Sequence, residues 1–274
     1  MKRMIIPLIL CFLLADLVMV HLYKEKPLVK EETLGLKFDP KVIKLSFPAF
    51  AEVVADIIYI RLCVFFGEKI FANVKLEDWD WILNNIETVL TIDPYYFDPY
   101  YMTGTLIAWE APKMHLEEIN QILKKGLSYS KDFCIPFFLG FNQFYFLDDK
   151  ETGAYYLKMA SERENSPKYL PLLVTRLYTK SGKIDAAIAI TTEQLKRETN
   201  KEYYKRLKKR LEALKILKGL QFAIDIYQRQ FGKCPETLEK IKEKGIIKEI
   251  PEDPYKGKFC IEKDCRVWTT SNLR

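Results

Sequence analysis

His115 and Glu118 stand three residues apart, a spacing that sets an imidazole and a carboxylate on one face of a helix and supplies half of a metal-binding pair. The other half is missing. The second histidine of the sequence, His21, lies in an apolar run near the start of the chain, so the pair reads as a solvated helix face. The acid pairs Asp78/Asp80 and Glu117/Glu118 fall on amphipathic segments and read as surface charge. No phosphate-cradling Gly-rich loop, Gly-x-Ser-x-Gly elbow or dinucleotide fingerprint occurs. With no nucleophile or base in a recognisable arrangement, the chain reads as non-enzymatic, and no catalytic, cofactor-binding or metal-ligating residue is expected.

Six cysteines remain as candidates for chemistry. Cys11 lies in the N-terminal apolar run, and Cys63 and Cys134 lie on apolar helix faces, where a thiol is an inert core group. The stretch Cys260-Ile-Glu-Lys-Asp-Cys265 places four polar-loop residues between two short strand-like runs. In a hairpin that spacing can bring the Cβ atoms of Cys260 and Cys265 opposite each other, so these two are the disulfide candidate, with Cys234 pairing to one of them as the rival. No Cys-x-x-Cys is present and neither histidine is near, which argues against zinc.

Charge is concentrated in one place. Residues 201–250 hold 14 lysines and arginines against 7 acids, while the net charge of the whole chain is +6. The run Lys205-Arg206-Leu207-Lys208-Lys209-Arg210 forms a basic face, continued by Lys201, Lys215 and Lys218. It reads first as the solvated side of a helix, with anionic lipid headgroups as a second reading and nucleic acid as a disfavoured third. Aromatic residues cluster elsewhere: Tyr95, Tyr96, Tyr100, Tyr101, then Phe137, Phe138, Phe141, Phe144 and Tyr145. Most pack between helices, and a subset, Tyr100, Tyr101, Phe137, Phe141, Tyr145 and Tyr178, is expected to line a groove where a peptide docks.

The elements that position these groups begin with the first 23 residues. Lys2 and Arg3 precede an apolar run from Met4 to Tyr23, broken by Asp16 and His21 and long enough to span a hydrocarbon core of ~30 Å. A cleaved signal requires small residues at its processing site, and only Ala15 is offered, between bulky neighbours. The expectation is an uncleaved signal anchor over residues 4–23. Asp16 in such a span is either tolerated or marks contact with another membrane protein. Residues 24–47 form a Pro-punctuated linker. Ala49–Phe66 is apolar nearly all round but contains Asp56 and Arg61, so it reads as a buried first helix and not as a second span.

Helical periodicity then recurs in pairs: 75–91 alone, 97–109 with 115–127, 133–147 with 152–161, and 169–179 with 183–198. A long closing helix follows over 202–231, with Leu207, Leu211, Leu214, Leu217, Leu220, Ile224 and Tyr227 at spacings of three and four. In Leu177-Tyr178-Thr179-Lys180-Ser181-Gly182-Lys183-Ile184-Asp185-Ala186-Ala187-Ile188 an aromatic is followed by a turning Gly and then by a small residue where two helices approach. This series resembles a tetratricopeptide repeat. Weaker copies lie around Gly104 and around Gly140 with Ala154, at intervals of roughly 35 residues, near the usual repeat length. The resemblance covers roughly residues 75–198 and implies an α-solenoid that binds protein partners, and the helical domain as a whole is expected over residues 48–221.

Residues 222–274 carry a second resemblance. Ala223-Ile224-Asp225-Ile226-Tyr227, Phe231-Gly232-Lys233-Cys234-Pro235 and Ile250-Pro251-Glu252-Asp253-Pro254-Tyr255-Lys256-Gly257 are similar to the core of type II secretion pseudopilins, with Lys256 inserted before the Gly. That resemblance implies a small α+β module with a hairpin from Phe259 to Val267. The expected architecture is an all-α helical repeat with an N-terminal transmembrane helix and a C-terminal α+β hairpin module. The expected function is a membrane-anchored scaffold at the inner membrane, its bulk outside the cytoplasm, that holds or assembles protein partners. The alternative is a structural component of a pilus-like or secretion apparatus.

Overall fold

The computed structural model describes residues 39–46, 48–70 and 74–273, so the anchor expected over residues 4–23 and most of the linker lie outside the described residues. The described residues are mostly helical, with one small antiparallel sheet among them, and the chain divides into two compact units, residues 1–88 and 89–274.

In the first unit a short helix α1 (Pro40–Ser46) and a 3-10 turn (Pro48–Phe50) lead into α2 (Ala51–Ile70), which is followed by α3 (Leu76–Ile92). Helix α2 buries Ala55, Ile58, Leu62 and Phe66, spaced so that they share one face. The rings of α2 and α3 meet: Phe65 with Trp81 at 4.6 Å between centroids and Phe66 with Trp79 at 6.1 Å, edge-on. At the start of α3 the Asp78 carboxylate, a negative charge that suits the positive helix end, accepts the Lys75 N–H (3.0 Å) and pairs with Lys69 (3.7 Å). Among the described residues no helix is long and apolar enough to cross a membrane. The expectation of all-round burial for this segment is corrected. Val53, Ile57, Ile60 and Val64 of α2 are exposed, because three-plus-four spacing repeats on both sides of the helix and, among the described residues, only one side is covered.

The second unit begins within α3 and continues through α4 (Phe97–Met102), a π-helical turn (Thr103–Ile107) and α5 (Ala108–Glu110). Helices α6 (Leu116–Gly126), α7 (Cys134–Tyr145), α8 (Lys150–Ser161), α9 (Leu170–Lys180), α10 (Ile184–Arg197) and α11 (Lys201–Phe231) follow, and from α6 onward each packs on the next. Their starts are set by local chemistry. The Asp149 side chain accepts the Thr152 N–H at the head of α8, that of Asn200 accepts the N–H groups of Glu202 and Tyr203 at the head of α11, and Pro171 sits in the first turn of α9. Gly182 (φ 82°) turns the chain between α9 and α10, and Gly232 (φ 67°) ends α11.

Where α7 crosses α8 the contact is backbone to backbone. A Cβ on Gly140 would lie 2.6 Å from Leu157 Cγ and 2.8 Å from the Gly153 carbonyl oxygen, and a Cβ on Gly153 would lie 2.8 Å from Phe144 Cβ. Both helices are thus drawn together by what is missing, and only glycine fits either position.

The C-terminal segment adds α12 (Leu238–Glu243) and strands β1 (Phe259–Ile261) and β2 (Val267–Thr269). These residues do not build a core of their own. Leu238, Ile241, Val267, Trp268 and Leu273 join Ile184 and Ala187 of α10 and Leu214, Leu217, Leu220 and Ile224 of α11 in one continuous apolar cluster. Asp253 organises the approach to the hairpin: its carboxylate accepts the Tyr255 N–H (2.8 Å) and the Thr269 hydroxyl. Burial pushes this carboxyl upward, but the hydrogen bonds from Thr269, the Tyr255 N–H, Ser271 and the Gly257 N–H outweigh it and hold its pKa below the ordinary carboxylate value.

The expected Cys260–Cys265 bridge is corrected: the disulfide joins Cys234 to Cys265, with Cα atoms 5.8 Å apart, and Cys260 is an exposed thiol. The register explains the difference. Cys260 pairs across the sheet with Trp268, so Cys265 falls in the turn, in a left-handed conformation (φ 63°), and its side chain points to the segment after α11. Cys63 and Cys134 are half-buried and not core residues, and burial together with Asp132 pushes the Cys134 thiol up to about 12.

Two consequences are measurable in thermal or denaturant melts. Gly140→Ala should cost about 1–3 kcal/mol, because neither Leu157 nor the α8 backbone can retreat. Cys234→Ser should cost roughly 2–4 kcal/mol by releasing the loop closed by the bridge, whereas Cys260→Ser should leave the melt unchanged.

Candidate protein-docking site

Helix α7 carries the densest group of aromatic rings, and three neighbours hold it in place. Against α8 it uses Gly140. Against the π-helical turn it uses Phe138, whose ring fills the space where a Gly104 side chain would be. In that turn Thr103 and Thr105 donate their hydroxyls to the carbonyls of Pro99 (2.6 Å) and Tyr101 (2.7 Å), a local competition that accompanies the departure from α-helical pairing. Against α6 the contact is polar: the Asn142 side-chain amide donates to Asn120 Oδ1 (3.0 Å), both residues being fully buried. The α7 N-terminus is anchored by Asp132, which accepts the Cys134 N–H (2.7 Å), and by Arg163, which donates to the carbonyls of Ser130 and Asp132.

With three sides of α7 occupied, Phe141 and Tyr145 are left on the remaining side. Their rings stack at 5.0 Å with an interplanar angle of 23°. Trp109, at the end of α5, leans on both, 5.7 Å from Phe141 and 5.4 Å from Tyr145, and Phe146 closes the group 5.3 Å from Trp109. The position of Trp109 follows from Pro112. Ala111, which precedes it, is forced to extended backbone (φ −68°, ψ 144°), so the helix stops and its last turn projects the indole. Trp109 and Tyr145 remain 53% and 55% exposed, a large apolar area to leave in water for side chains with so many ring neighbours. The ring contacts continue through the half-buried Phe137 and the buried Phe138 to Tyr101 and Phe97.

Of the six groove residues expected from sequence, Phe141 and Tyr145 lie in this group, Phe137 borders it, and Tyr101 is exposed at the far end of the same chain of rings. Tyr100 is removed from the groove. It is buried, its hydroxyl donates to the Pro94 carbonyl (3.2 Å), and burial, with Tyr129 and Asp93 nearby, pushes its pKa up to about 12. Tyr178 is half-buried between two apolar clusters and makes no ring contact with the group among the described residues. Trp109 was not singled out from sequence, although an aromatic just before a Pro-terminated helix end was its available signal.

The other expectations shift as well. His115 is buried at the head of α6, its Nδ1 3.5 Å from Glu118 Oε2, and so does not belong to a solvated face. Among the described residues no group of three or more His, Cys, Asp or Glu side chains is placed to hold a metal. On α11, Lys205, Arg206, Lys208 and Lys209 are exposed, but Arg210 is buried and leaves the basic face. Arg210 donates weakly to the Leu172 carbonyl (3.4 Å), and burial holds its pKa below the ordinary guanidinium value. The remaining face is partly committed within the molecule. Lys209 sits over the Tyr255 ring (4.5 Å), Lys205 pairs with Glu202 (3.1 Å) and Lys218 with Asp185 (2.5 Å). A cleft of about 580 Å³ is lined by α8 and α10 residues, including Lys158, Glu162, Glu193 and Arg197, whose charges neutralise one another in pairs. No family model matches this chain, and neither a curated protein nor a solved structure shows significant similarity to it.

The Asn120–Asn142 pair offers a handle on the site. Asn142→Ala strands the buried Asn120 Oδ1 and should cost about 1–3 kcal/mol, while Asn120→Leu combined with Asn142→Leu should recover most of that loss in a denaturant melt.

Proposed function

We propose that this chain is a non-enzymatic, membrane-anchored scaffold of the tetratricopeptide-repeat type that holds a protein partner outside the cytoplasm. The single observation that carries the reading is the aromatic group Trp109–Phe141–Tyr145–Phe146, set beside a helix packed on three sides, with Trp109 and Tyr145 left exposed. Rigid aromatic rings that stay exposed while their surroundings are ordered are the usual anchors of protein interfaces, since little side-chain entropy is lost when they are covered. The succession of packed helix pairs, with small residues at the crossings and Gly182 at a turn, supports the repeat reading. The Cys234–Cys265 bridge supports a compartment outside the reducing cytosol, on the same side as the expected topology.

The alternative, an apparatus component that assembles through residues 222–270, draws on the α+β character of that segment. Because those residues share their core with α10 and α11, truncation would unfold the unit and cannot separate the two readings. Point substitutions can. From cells, the full chain extracted in mild detergent should co-purify with one dominant protein. Trp109→Ala with Tyr145→Ala should reduce its recovery by tenfold or more at an unchanged melting temperature, and charge reversals at the exposed Lys263 and Glu239 should leave recovery unchanged. Loss of the partner only in the second set would favour the apparatus reading.

A further inference from the structure

Helix α2 has two apolar faces, and among the described residues only one is covered. Ala55, Ile58, Leu62 and Phe66 are buried, while Val53, Ile57, Ile60 and Val64 are 52%, 60%, 61% and 56% exposed. Isolated exposed apolar side chains need no explanation, but these four are in register. Counting from the exposed Phe50 in the 3-10 turn ahead of α2, the steps are three, four, three and four residues. That alternation is the a/d seam of a heptad, narrower than the stripe of a helix lying on a core or a lipid surface. Position a is held by Ile57 and Val64 and position d by Val53 and Ile60, all β-branched, so each has few rotamers to lose when covered.

The flanking charges select the partner. With Ile57 at a, Asp56 occupies g and Arg61 occupies e of the following heptad. In a parallel pair of helices the g residue of one chain faces the residue five further along on the other, so Asp56 meets Arg61 of a second copy, and two-fold symmetry makes the contact twice. An antiparallel pair would instead set Asp56 against its own counterpart, Cys63 or Ile70, none of which carries positive charge. The Arg61 guanidinium carbon lies 5.9 Å from the Trp81 ring centroid, a cation–π contact within the chain that fixes where the charge sits. The seam from Phe50 to Gly67 is short for a free zipper, ~27 Å. Here, though, α2 is folded against α3 before it meets anything, so the cost of making helix does not fall on association.

We propose that α2 pairs in parallel with α2 of a second copy of this chain, through Val53, Ile57, Ile60 and Val64 and the reciprocal Asp56–Arg61 contacts. A parallel pair also sends both N-termini the same way, as two copies anchored in one membrane require. That last support rests on the anchor reading; the seam and its charges do not.

The test is the mass of the full chain in mild detergent, micelles in excess, across a concentration series by analytical ultracentrifugation. The wild type should form a dimer. Ile57→Asp and Ile60→Asp should each raise the dissociation midpoint tenfold or more, and Val42→Asp, exposed but off the seam, should not. Asp56→Arg should weaken the dimer by a similar factor, and Asp56→Arg with Arg61→Asp should restore it, each variant first checked for an unchanged helical melt. A monomeric wild type, a dimer indifferent to both Ile57→Asp and Ile60→Asp, or a charge swap that fails to rescue overturns the proposal. So does a monomer whose binding to anionic vesicles is lost in Ile57→Asp, which would make the face a lipid contact. A monomer that keeps its partner through the aromatic group would overturn this inference alone and leave the scaffold reading standing.

Discussion

The crossing of α7 and α8 at Gly140 and Gly153 is the constraint on which the second unit depends. Two backbones meet there without side chains between them, so the helices cannot slide or separate without opening a void or forcing a clash. The crossing fixes the rotation of α7 about its axis. That rotation points Phe138 at Gly104, Asn142 at Asn120, and leaves Phe141 and Tyr145 facing outward beside Trp109. An exposed aromatic group is thus the remainder of a packing solution in which every other face of the helix is spent.

Stability in the C-terminal part has a different source. The hairpin is two three-residue strands, too little to stand alone. It is held by apolar burial of Val267 and Trp268 on α11, by the Cys234–Cys265 bridge, and by hydrogen bonds to the rest of the unit: Arg266 to the Lys180 carbonyl (2.6 Å) and the Val267 N–H to the Gln221 side chain (2.9 Å). Lys180 in turn lies over the Trp268 ring (4.7 Å). These contacts bind the sheet to the end of α9 and to the side of α11, so the segment that resembles a separate module packs onto the last helices of the second unit.

Much of this was legible in the sequence because it depends on local patterns. The helix pairs follow from three-and-four spacing, from the Pro residues near helix starts and from the glycines at turns, and their observed limits fall close to the expected ones. What was missed depends on neighbours that a one-dimensional pattern does not reveal. A heptad seam and a core face look alike until one of them is seen uncovered, so α2 read as wholly buried. Cys260 and Cys265 had a plausible hairpin spacing, but the register placed one of them in the turn. Arg210 sits in a basic run, yet its phase on α11 turns it inward, and His115 shows the same effect at the head of α6. Tyr100 and Tyr101 are adjacent in sequence and opposite in fate for the same reason. Trp109 escaped notice because its significance lies in residues more than thirty positions downstream.

Together these features describe a second unit of successively packed helices that presents an aromatic surface and, described by itself, a first unit whose helix α2 leaves a stripe of apolar residues exposed. The account rests most heavily on the aromatic surface being where a partner protein docks. The most direct measurement is site-specific photocrosslinking in cells, with a photoreactive side chain placed at Tyr145 and, for comparison, at the exposed Lys196 on α10. The account predicts a single strong adduct to another protein from position 145 and none from position 196. Equal labelling at both positions, or adducts only from position 196, would contradict it.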